Sequence, residues 1–202
     1  MRFAVSIAVI SLILAGCASV EPGRSLGREI DDVNASVSVK SAMLRAEGYA
    51  LSGVDLEVTE GVALLSGSAP RPADRVHAEC LAWSSPAVRS VTNEISIGGG
   101  RGPGRALRDT WLTQRVRARL LTDSAVRSVN FNVETYDRVV YLLGYARSVG
   151  ERERAAEHAS LVDGVERVVV LVRAEGETRE LPARGEHRAE MCDAQSAPAP
   201  AA

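Results

Sequence analysis

Aromatic side chains are scarce in this chain: two phenylalanines, two tryptophans and four tyrosines make up 4% of its 202 residues. The interior of any domain must therefore be built from aliphatic residues and alanine, since apolar residues of all kinds reach 46%. Neither sign of charge is in large excess, because 24 basic and 26 acidic residues leave a formal net charge of −2. A chain of this length and composition has room for one or two small domains.

Patterns typical of catalysis or metal binding are also absent from the sequence. The histidines, His77, His158 and His187, are scattered, and none belongs to a Ser/His/Asp or Cys/His arrangement. No spacing suggests a metal site. The glycine-rich stretch Gly98–Gly104 lacks the Lys-Ser/Thr pair that completes a phosphate-binding loop. The sequence therefore predicts a protein that is not an enzyme and uses no cofactor and no metal.

The sequence has one long apolar run, Phe3 to Leu14, which carries no charge and follows Arg2. It has the length of a signal-peptide core and is too short to span a bilayer, which takes roughly 20 apolar residues. The run ends in Leu14-Ala15-Gly16-Cys17, which resembles the lipobox of bacterial lipoproteins. The alternative interpretations are an ordinary signal peptide and a buried N-terminal helix with a chance cysteine.

The lipobox resemblance implies a location and an anchor. Residues 1–16 would be a lipoprotein signal peptide, and Cys17 would become the acylated first residue of a lipidated tether formed by residues 17–29. Position 18 is Ala rather than the Asp that retains such lipoproteins at the inner membrane. By this resemblance we expect a protein that is lipid-anchored in the outer membrane and faces the periplasm.

The other two cysteines predict little. Cys80 and Cys192 can pair in an oxidising compartment, but Cys192 lies in a segment rich in charge, alanine and proline. We expect Cys80 to pack inside a helix as a small hydrophobe and Cys192 to be free. Residues 174–202 as a whole are predicted to be a disordered tail.

Hydrophobic periodicity predicts a helix, a hairpin, a second helix and a third strand after the tether. The first helix would begin near Ile30 and end at Gly48, and the hairpin would turn at Glu60-Gly61. The side chains expected to face the core of the helices are Ile30, Val33, Val37 and Leu44 in the first, and Val76, Cys80 and Trp83 in the second. The strands are expected at Val54–Val58, Val62–Leu65 and Val88–Ile97.

The same plan restarts after the glycine run, so the chain contains an internal repeat. A shift of 77 residues superposes Gly67 on Gly144 and Val88 on Val165, whereas the first strands align best at 75. The second hairpin turn is therefore expected to be two residues longer. Residues 98–104 are predicted to be a linker, whose root-mean-square span of roughly 15 Å would let two domains reorient.

Motifs in both halves resemble the BON domain family. They are Val62-Ala63-Leu64-Leu65-Ser66-Gly67 with Val88-Arg89-Ser90-Val91-Thr92-Asn93, and Val140-Tyr141-Leu142-Leu143-Gly144 with Gly164-Val165-Glu166-Arg167-Val168. Ala87 and Val170 depart from the family's Gly and Asn. The resemblance implies an α+β class of two tandem α-β-β-α-β BON domains, at residues 30–97 and 105–173. Each would be a small three-stranded mixed sheet packed against two helices.

The resemblance extends to dual BON-domain outer-membrane lipoproteins, which implies a function. Such proteins bind anionic phospholipid through the first helix of the second domain and support outer-membrane integrity. Here the segment Arg101–Arg119 holds six arginines against one acid, Asp109. If Leu112, Val116 and Leu120 face the core, an exposed face remains for lipid headgroups, formed by Arg108, Trp111, Arg115 and Arg119. The alternative is a merely solvated basic face with Trp111 in the core.

A different class of function stays open. The chain could be a periplasmic stress-response interaction protein, or a holdase-like one, that docks an envelope protein partner; nucleic acid is not an expected partner. The strand Val168–Val172 is apolar on both faces. It is either a central, fully covered strand, or a strand whose outer face packs on the first domain.

Overall fold

The computed structural model describes residues 26–46, 50–177 and 192, which form two α+β units of the same design. The helices are α1 (Leu26–Leu44), α2 (Pro72–Ser84), α3 (Pro103–Leu121) and α4 (Val149–Ser160). The strands are β1 (Val54–Thr59), β2 (Val62–Ala69), β3 (Ser90–Asn93), β4 (Ser96–Ile97), β5 (Phe131–Tyr136), β6 (Val139–Ala146) and β7 (Arg167–Ala174). None of the helices in this described part is both long and apolar enough to cross a bilayer.

Each unit is a mixed sheet, as the BON resemblance implies. In the first, β2 is the middle strand, antiparallel to β1 and parallel to β3; in the second, β6 takes that position between β5 and β7. The first unit's last strand is interrupted, because β4 continues along β2 after a break at Glu94-Ile95. The helices α2 and α4 make the crossovers that parallel pairs require.

The two hairpins have the same length, which corrects the predicted difference. Val54 pairs with Gly67 and Phe131 with Gly144, so one shift of 77 residues relates both hairpins. The predicted shift of 75 is wrong because Val129 lies in a 3₁₀ turn (Ser128–Asn130) before β5 and not in the strand. Both turns are two-residue turns with positive φ at each position, at Glu60-Gly61 and Asp137-Arg138, as type I′ hairpins require.

The predicted core face of α1 is wrong. Ile30, Val33, Val37 and Leu44 are 57–62% exposed. The face that packs on the sheet consists of Asp32, Ala35, Val39 and Met43. The buried Asp32 selects this face, since its carboxylate accepts the backbone N–H groups of Glu60 and Gly61, at 2.7 and 3.0 Å. Turning α1 to bury the larger side chains would leave those two donors without an acceptor, at about 1–3 kcal/mol each.

The two sheets pack face to face and share a third apolar cluster. Its fully buried members are Val62 and Leu64 from the first unit, and Tyr141, Leu143 and Leu171 from the second. This contact explains why Val168–Val172 is apolar on both faces: Val168, Val170 and Val172 pack on the second unit's own helices, while Val169 and Leu171 join the shared cluster. Of the two interpretations of this strand, the structure supports packing on the first unit.

Polar contacts surround the shared cluster. The Asn132 amide donates to Glu57 at 2.9 Å, and Glu94 accepts from the Tyr141 hydroxyl at 3.4 Å and from the Arg167 guanidinium at 3.3 Å. Burial, followed by the nearby Glu94 charge, raises the pKa of Tyr141, so this hydroxyl remains a neutral donor.

Several predicted boundaries lie inside regular elements. The helix α1 starts at Leu26, within the predicted tether 17–29, and α3 starts at Pro103, within the predicted linker 98–104. Proline is favoured at the first position of a helix, where its missing N–H costs nothing. Ala174, the first residue of the predicted tail, is the last of β7. The signal peptide 1–16, Cys17 and most of the tail lie outside the described residues.

The cysteine predictions are wrong as well. Cys80 and Cys192 form a disulfide that closes a separation of 112 residues. Cys80 is only half-buried, because the core side of α2 consists of Ala78, Ala82 and Trp83. Because Cys80 lies at the side of α2 and does not face the core, its sulfur is accessible to a partner cysteine from the C-terminal segment.

Candidate functional site

The helix α3 turns one apolar face inward and leaves a basic face outside. Leu112, Val116 and Leu120 are at most 1% exposed and pack on the second unit's sheet, as predicted. Side chains three and four residues apart share a helix face, so these three residues form one buried stripe. The residues beside this stripe point outward. The predicted site residues Arg108, Trp111, Arg115 and Arg119 are all exposed.

Trp111 and Arg115 form a stacked pair on this surface. The Trp111 ring is 49% exposed, and the Arg115 guanidinium lies 4.6 Å from its centre. This is a cation–π distance. The exposure of Trp111 excludes the alternative in which this side chain lies in the core. Leu107, one turn before Trp111, is 72% exposed and adds a second apolar group to the face.

Asp109, the one acid of the segment, is removed from this surface by burial. It is 2% exposed, accepts the backbone N–H groups of Asp137 and Arg138 at 2.8 and 3.0 Å, and is ion-paired with Arg101. Sequence reasoning missed this role. The signal was available, because a shift of 77 places Asp109 on Asp32, and both hold the turn of their own hairpin.

The arginines of α3 divide into paired and unpaired groups. Arg105 lies 3.6 Å from Asp137, and Arg117 lies 3.7 Å from Glu134. In the part of the chain that the structure describes, no carboxylate lies within 4.0 Å of the guanidiniums of Arg108, Arg115 and Arg119. The free positive charge of the helix therefore lies on the predicted site residues, beside Trp111. We call Arg108, Trp111, Arg115 and Arg119 the α3 face.

A second exposed surface was missed by sequence reasoning. Ile30, Val33, Val37 and Leu44 form an apolar stripe along the outside of α1, which we call the α1 stripe. It carries no arginine or aromatic residue. The periodicity of these residues predicts a core face. In the structure they form a surface on which large apolar side chains are exposed to solvent.

The described histidines take part in structural contacts or lie on the surface. The Nε2 atom of His158 lies 2.8 Å from Asp123, and this hydrogen bond is the main cause that lowers the pKa of Asp123. His77 is exposed, and His187 lies outside the described residues. Across residues 26–46, 50–177 and 192, no group of three or more His, Cys, Asp and Glu side chains is arranged to hold a metal ion.

Three known proteins are similar in sequence to most of this chain. The chain is 31% identical to the 21 kDa hemolysin of Actinobacillus pleuropneumoniae over 76% of its own length and 78% of the relative's. It is 28% identical to the outer membrane lipoprotein DolP of Haemophilus influenzae, over 74% and 78% of the two chains. It is 31% identical to the osmotically-inducible protein Y of Escherichia coli, over 71% and 72%.

The family match covers most of the chain and both units. The BON domain family matches residues 31–99 and again residues 108–176. Each range runs from within the first helix of one α-β-β-α-β unit to just past its last strand. The chain thus belongs to the BON domain family and carries two BON domains in tandem, as DolP-type proteins do.

Proposed function

We propose that this protein is an envelope lipoprotein that binds anionic phospholipid through its second BON domain. Cys17 would carry the acyl chains and hold the protein in the outer membrane, facing the periplasm. The α3 face would then contact lipid headgroups, and this contact would support outer-membrane integrity. The similarity to the outer membrane lipoprotein DolP supports the envelope location.

The observation that carries the proposal is the composition of the α3 face. Among the described residues, three guanidiniums with no carboxylate within 4.0 Å share this face with a half-exposed tryptophan, while the one acid of the segment is buried. An amphipathic indole ring is suited to the boundary between headgroups and acyl chains. Each arginine near an anionic surface contributes about 1 kcal/mol, which salt weakens.

The proposed anchor makes a weak contact sufficient. A domain tethered through Cys17 stays near the bilayer at a high effective concentration, so the α3 face needs little affinity of its own. In this scheme the acyl chains would provide residence at the membrane, and the arginines would provide selectivity for anionic headgroups.

Vesicle co-sedimentation of residues 18–202 tests the proposal. Every element described above lies within this part of the chain, and it lacks the apolar run and the acylated cysteine. We expect binding to phosphatidylglycerol vesicles that falls with salt, and much weaker binding to phosphatidylcholine vesicles. Trp111→Ala should weaken the binding several-fold. Arg115→Glu should weaken it more than tenfold, because it changes the charge by two at about 1 kcal/mol each.

The first BON domain supplies matched controls. A shift of 77 residues places Asn34 on Trp111 and Ser38 on Arg115, and both are exposed on α1. Asn34→Ala and Ser38→Glu should therefore leave vesicle binding within twofold of the unchanged protein. Equal binding to neutral and anionic vesicles, or an equal loss in the control variants, would contradict a lipid site on α3.

A protein-docking role is the second candidate, and the α1 stripe favours it. Exposed apolar side chains in a row are typical of surfaces that contact other proteins, as a stress-response interaction or holdase-like protein in the periplasm would need. If this is the main function, Val37→Ser should reduce capture of an envelope partner, or suppression of aggregation of an unfolded client, while vesicle binding stays unchanged.

A further inference from the structure

A cleft between the two BON domains forms a surface that the membrane proposal does not use. Its volume is about 490 Å³, within the range of small-molecule sites. The first domain contributes the β1–β2 turn and the start of β3, and the second contributes the ends of β6 and β7. The cleft is therefore complete only when the two sheets are stacked.

Two guanidiniums, those of Arg89 and Arg173, line this cleft from opposite domains. Within the described residues, neither has a carboxylate within 4.0 Å. Arg89 is held in place, because its Nη2 donates to the Glu60 carbonyl at 2.9 Å and its Nε lies over Gly61, where a Cβ atom would come within 2.6 Å. Burial, followed by the positive charges of Arg28 and Arg173, lowers the pKa of Arg89, so these cations repel one another.

The carboxylates that line the cleft do not balance the pair. Glu60 is ion-paired with Arg28 at 2.8 Å. Glu177 is ion-paired with Arg152. Glu175 is exposed and lies near the Tyr145 hydroxyl. Burial, followed by the Glu175 charge, raises the pKa of Tyr145. Apart from these two ion pairs, the cleft therefore contains two guanidiniums, those of Arg89 and Arg173, and one carboxylate, that of Glu175.

We propose that this cleft binds an anion carrying a phosphate group, held between the domains by Arg89 and Arg173. Planar guanidiniums match phosphate oxygens in pairs of hydrogen bonds, and a terminal phosphate offers enough oxygens for both. Because the ligand contacts both domains, its binding stabilises their packing. The site shares no residue with α3, so it stands or falls separately from the membrane role.

Titration calorimetry of residues 18–202 with inorganic phosphate and with glycerol 3-phosphate tests the site, at constant ionic strength set with chloride. We expect saturable binding and a rise in melting temperature. Arg173→Gln should weaken the affinity at least tenfold because it removes one of the two guanidiniums. It should still fold, because the Arg173 side chain makes no hydrogen bond within the described residues. Arg89→Lys keeps the charge but loses the paired hydrogen bonds, and should weaken binding to a smaller extent. Arg45→Gln, which removes an exposed charge on the surface of the first domain, is the matched control and should bind as the unchanged protein does.

Comparison between variants separates a site from a general salt effect. Phosphate raises the melting temperature of many proteins by exclusion from their surface, and that rise would be equal in all variants. An equal response in Arg173→Gln and Arg45→Gln, or the absence of saturable heat from the unchanged protein, would overturn the proposal. Circular dichroism establishes that each variant is folded, and Arg173→Lys replaces Arg173→Gln if the latter is not.

Vesicles distinguish the two sources of such a phosphate. If the ligand is a lipid headgroup, Arg173→Gln should also weaken binding to phosphatidylglycerol vesicles, and glycerol 3-phosphate should compete with them. If vesicle binding is unchanged while glycerol 3-phosphate binding is lost, the ligand is a soluble phosphate compound.

Discussion

The first helices of the two BON domains, α1 and α3, occupy the same place in the same fold and present opposite kinds of surface. Their buried sides correspond position by position at a shift of 77 residues. The pairs are Asp32 with Asp109, Ala35 with Leu112, Val39 with Val116, and Met43 with Leu120. One aspartate and three apolar residues at fixed spacing thus define the packed side of both helices.

The residues of α1 at the positions of the α3 face differ from those of α3. The residues of α1 that correspond to the α3 face are Asp31, Asn34, Ser38 and Ala42. An acid and small or polar residues therefore stand where α3 has three arginines and a tryptophan. Because solvent imposes no packing constraint on these positions, duplicated domains can keep one core and acquire different surfaces. The comparison predicts that changes on the buried sides act alike in both domains, and that changes on the exposed sides do not.

The largest effect is expected from the buried aspartates. Asp32→Ala and Asp109→Ala each remove the acceptor of two hairpin N–H groups. Each should lower the free energy of unfolding by about 3 kcal/mol. Urea denaturation followed by circular dichroism measures this loss. In a background in which Trp111 is replaced by Phe, the fluorescence of Trp83, buried in the first domain's core, reports on that domain alone. Thr110→Ala, an exposed change beside Asp109, is the control. If Asp109→Ala costs no more than Thr110→Ala, the turn does not depend on the carboxylate.

An intermediate effect should distinguish the two apolar sides of α1. Val39 is 1% exposed in the core, whereas Val37 is 62% exposed in the α1 stripe. Val39→Ala should lower the free energy of unfolding by about 2 kcal/mol through lost burial and a cavity, and Val37→Ala by less than about 0.5 kcal/mol. The urea midpoint of each variant provides the measurement. Equal losses of unfolding free energy would mean that both sides of α1 are buried and that the α1 stripe is covered.

The smallest effect concerns a carboxylate pair that the repeat itself creates. Glu57 and Glu134 are equivalent positions, on β1 and β5, and the packing of the two domains brings them near each other. Burial, followed by the Glu57 charge, raises the pKa of Glu134 above its usual 4.5. The folded state thus binds the proton more tightly than the unfolded state, and stability falls as the pH rises from about 4.5 through the raised pKa.

Replacing Glu134 by glutamine removes this titration. Glu134→Gln should make the urea midpoint depend less on pH across that window and should raise it slightly at pH 7. Glu157→Gln, an exposed change on α4, should leave the pH dependence unaltered. An unchanged slope in Glu134→Gln would show that the domains do not bring these carboxylates together.

Much of the fold could be predicted from local patterns. Alternating strands, the capping residue Ser148, whose side chain accepts the Glu151 N–H at 3.1 Å, and the repeat near 77 residues all express short-range chemistry. The orientation of α3 was predictable because Leu112, Val116 and Leu120 recur at an unbroken i, i+4 spacing. The length of the second hairpin turn was misjudged because Val129 continues the alternation of β5 in sequence but lies in the 3₁₀ turn before that strand.

The sequence by itself determined the order of the elements, the duplication and the basic character of α3, since each of these depends on neighbours along the chain. Tertiary structure decided which side of α1 is buried. That helix has two apolar sides, and local periodicity favours the larger residues, but two buried hydrogen bonds from the hairpin N–H groups to Asp32 select the smaller ones. The stacking of the two sheets, the disulfide of Cys80 with Cys192 and the cleft of Arg89 and Arg173 were decided in the same way. Each joins residues far apart in the chain, and their contact energies exist only once both parts are folded.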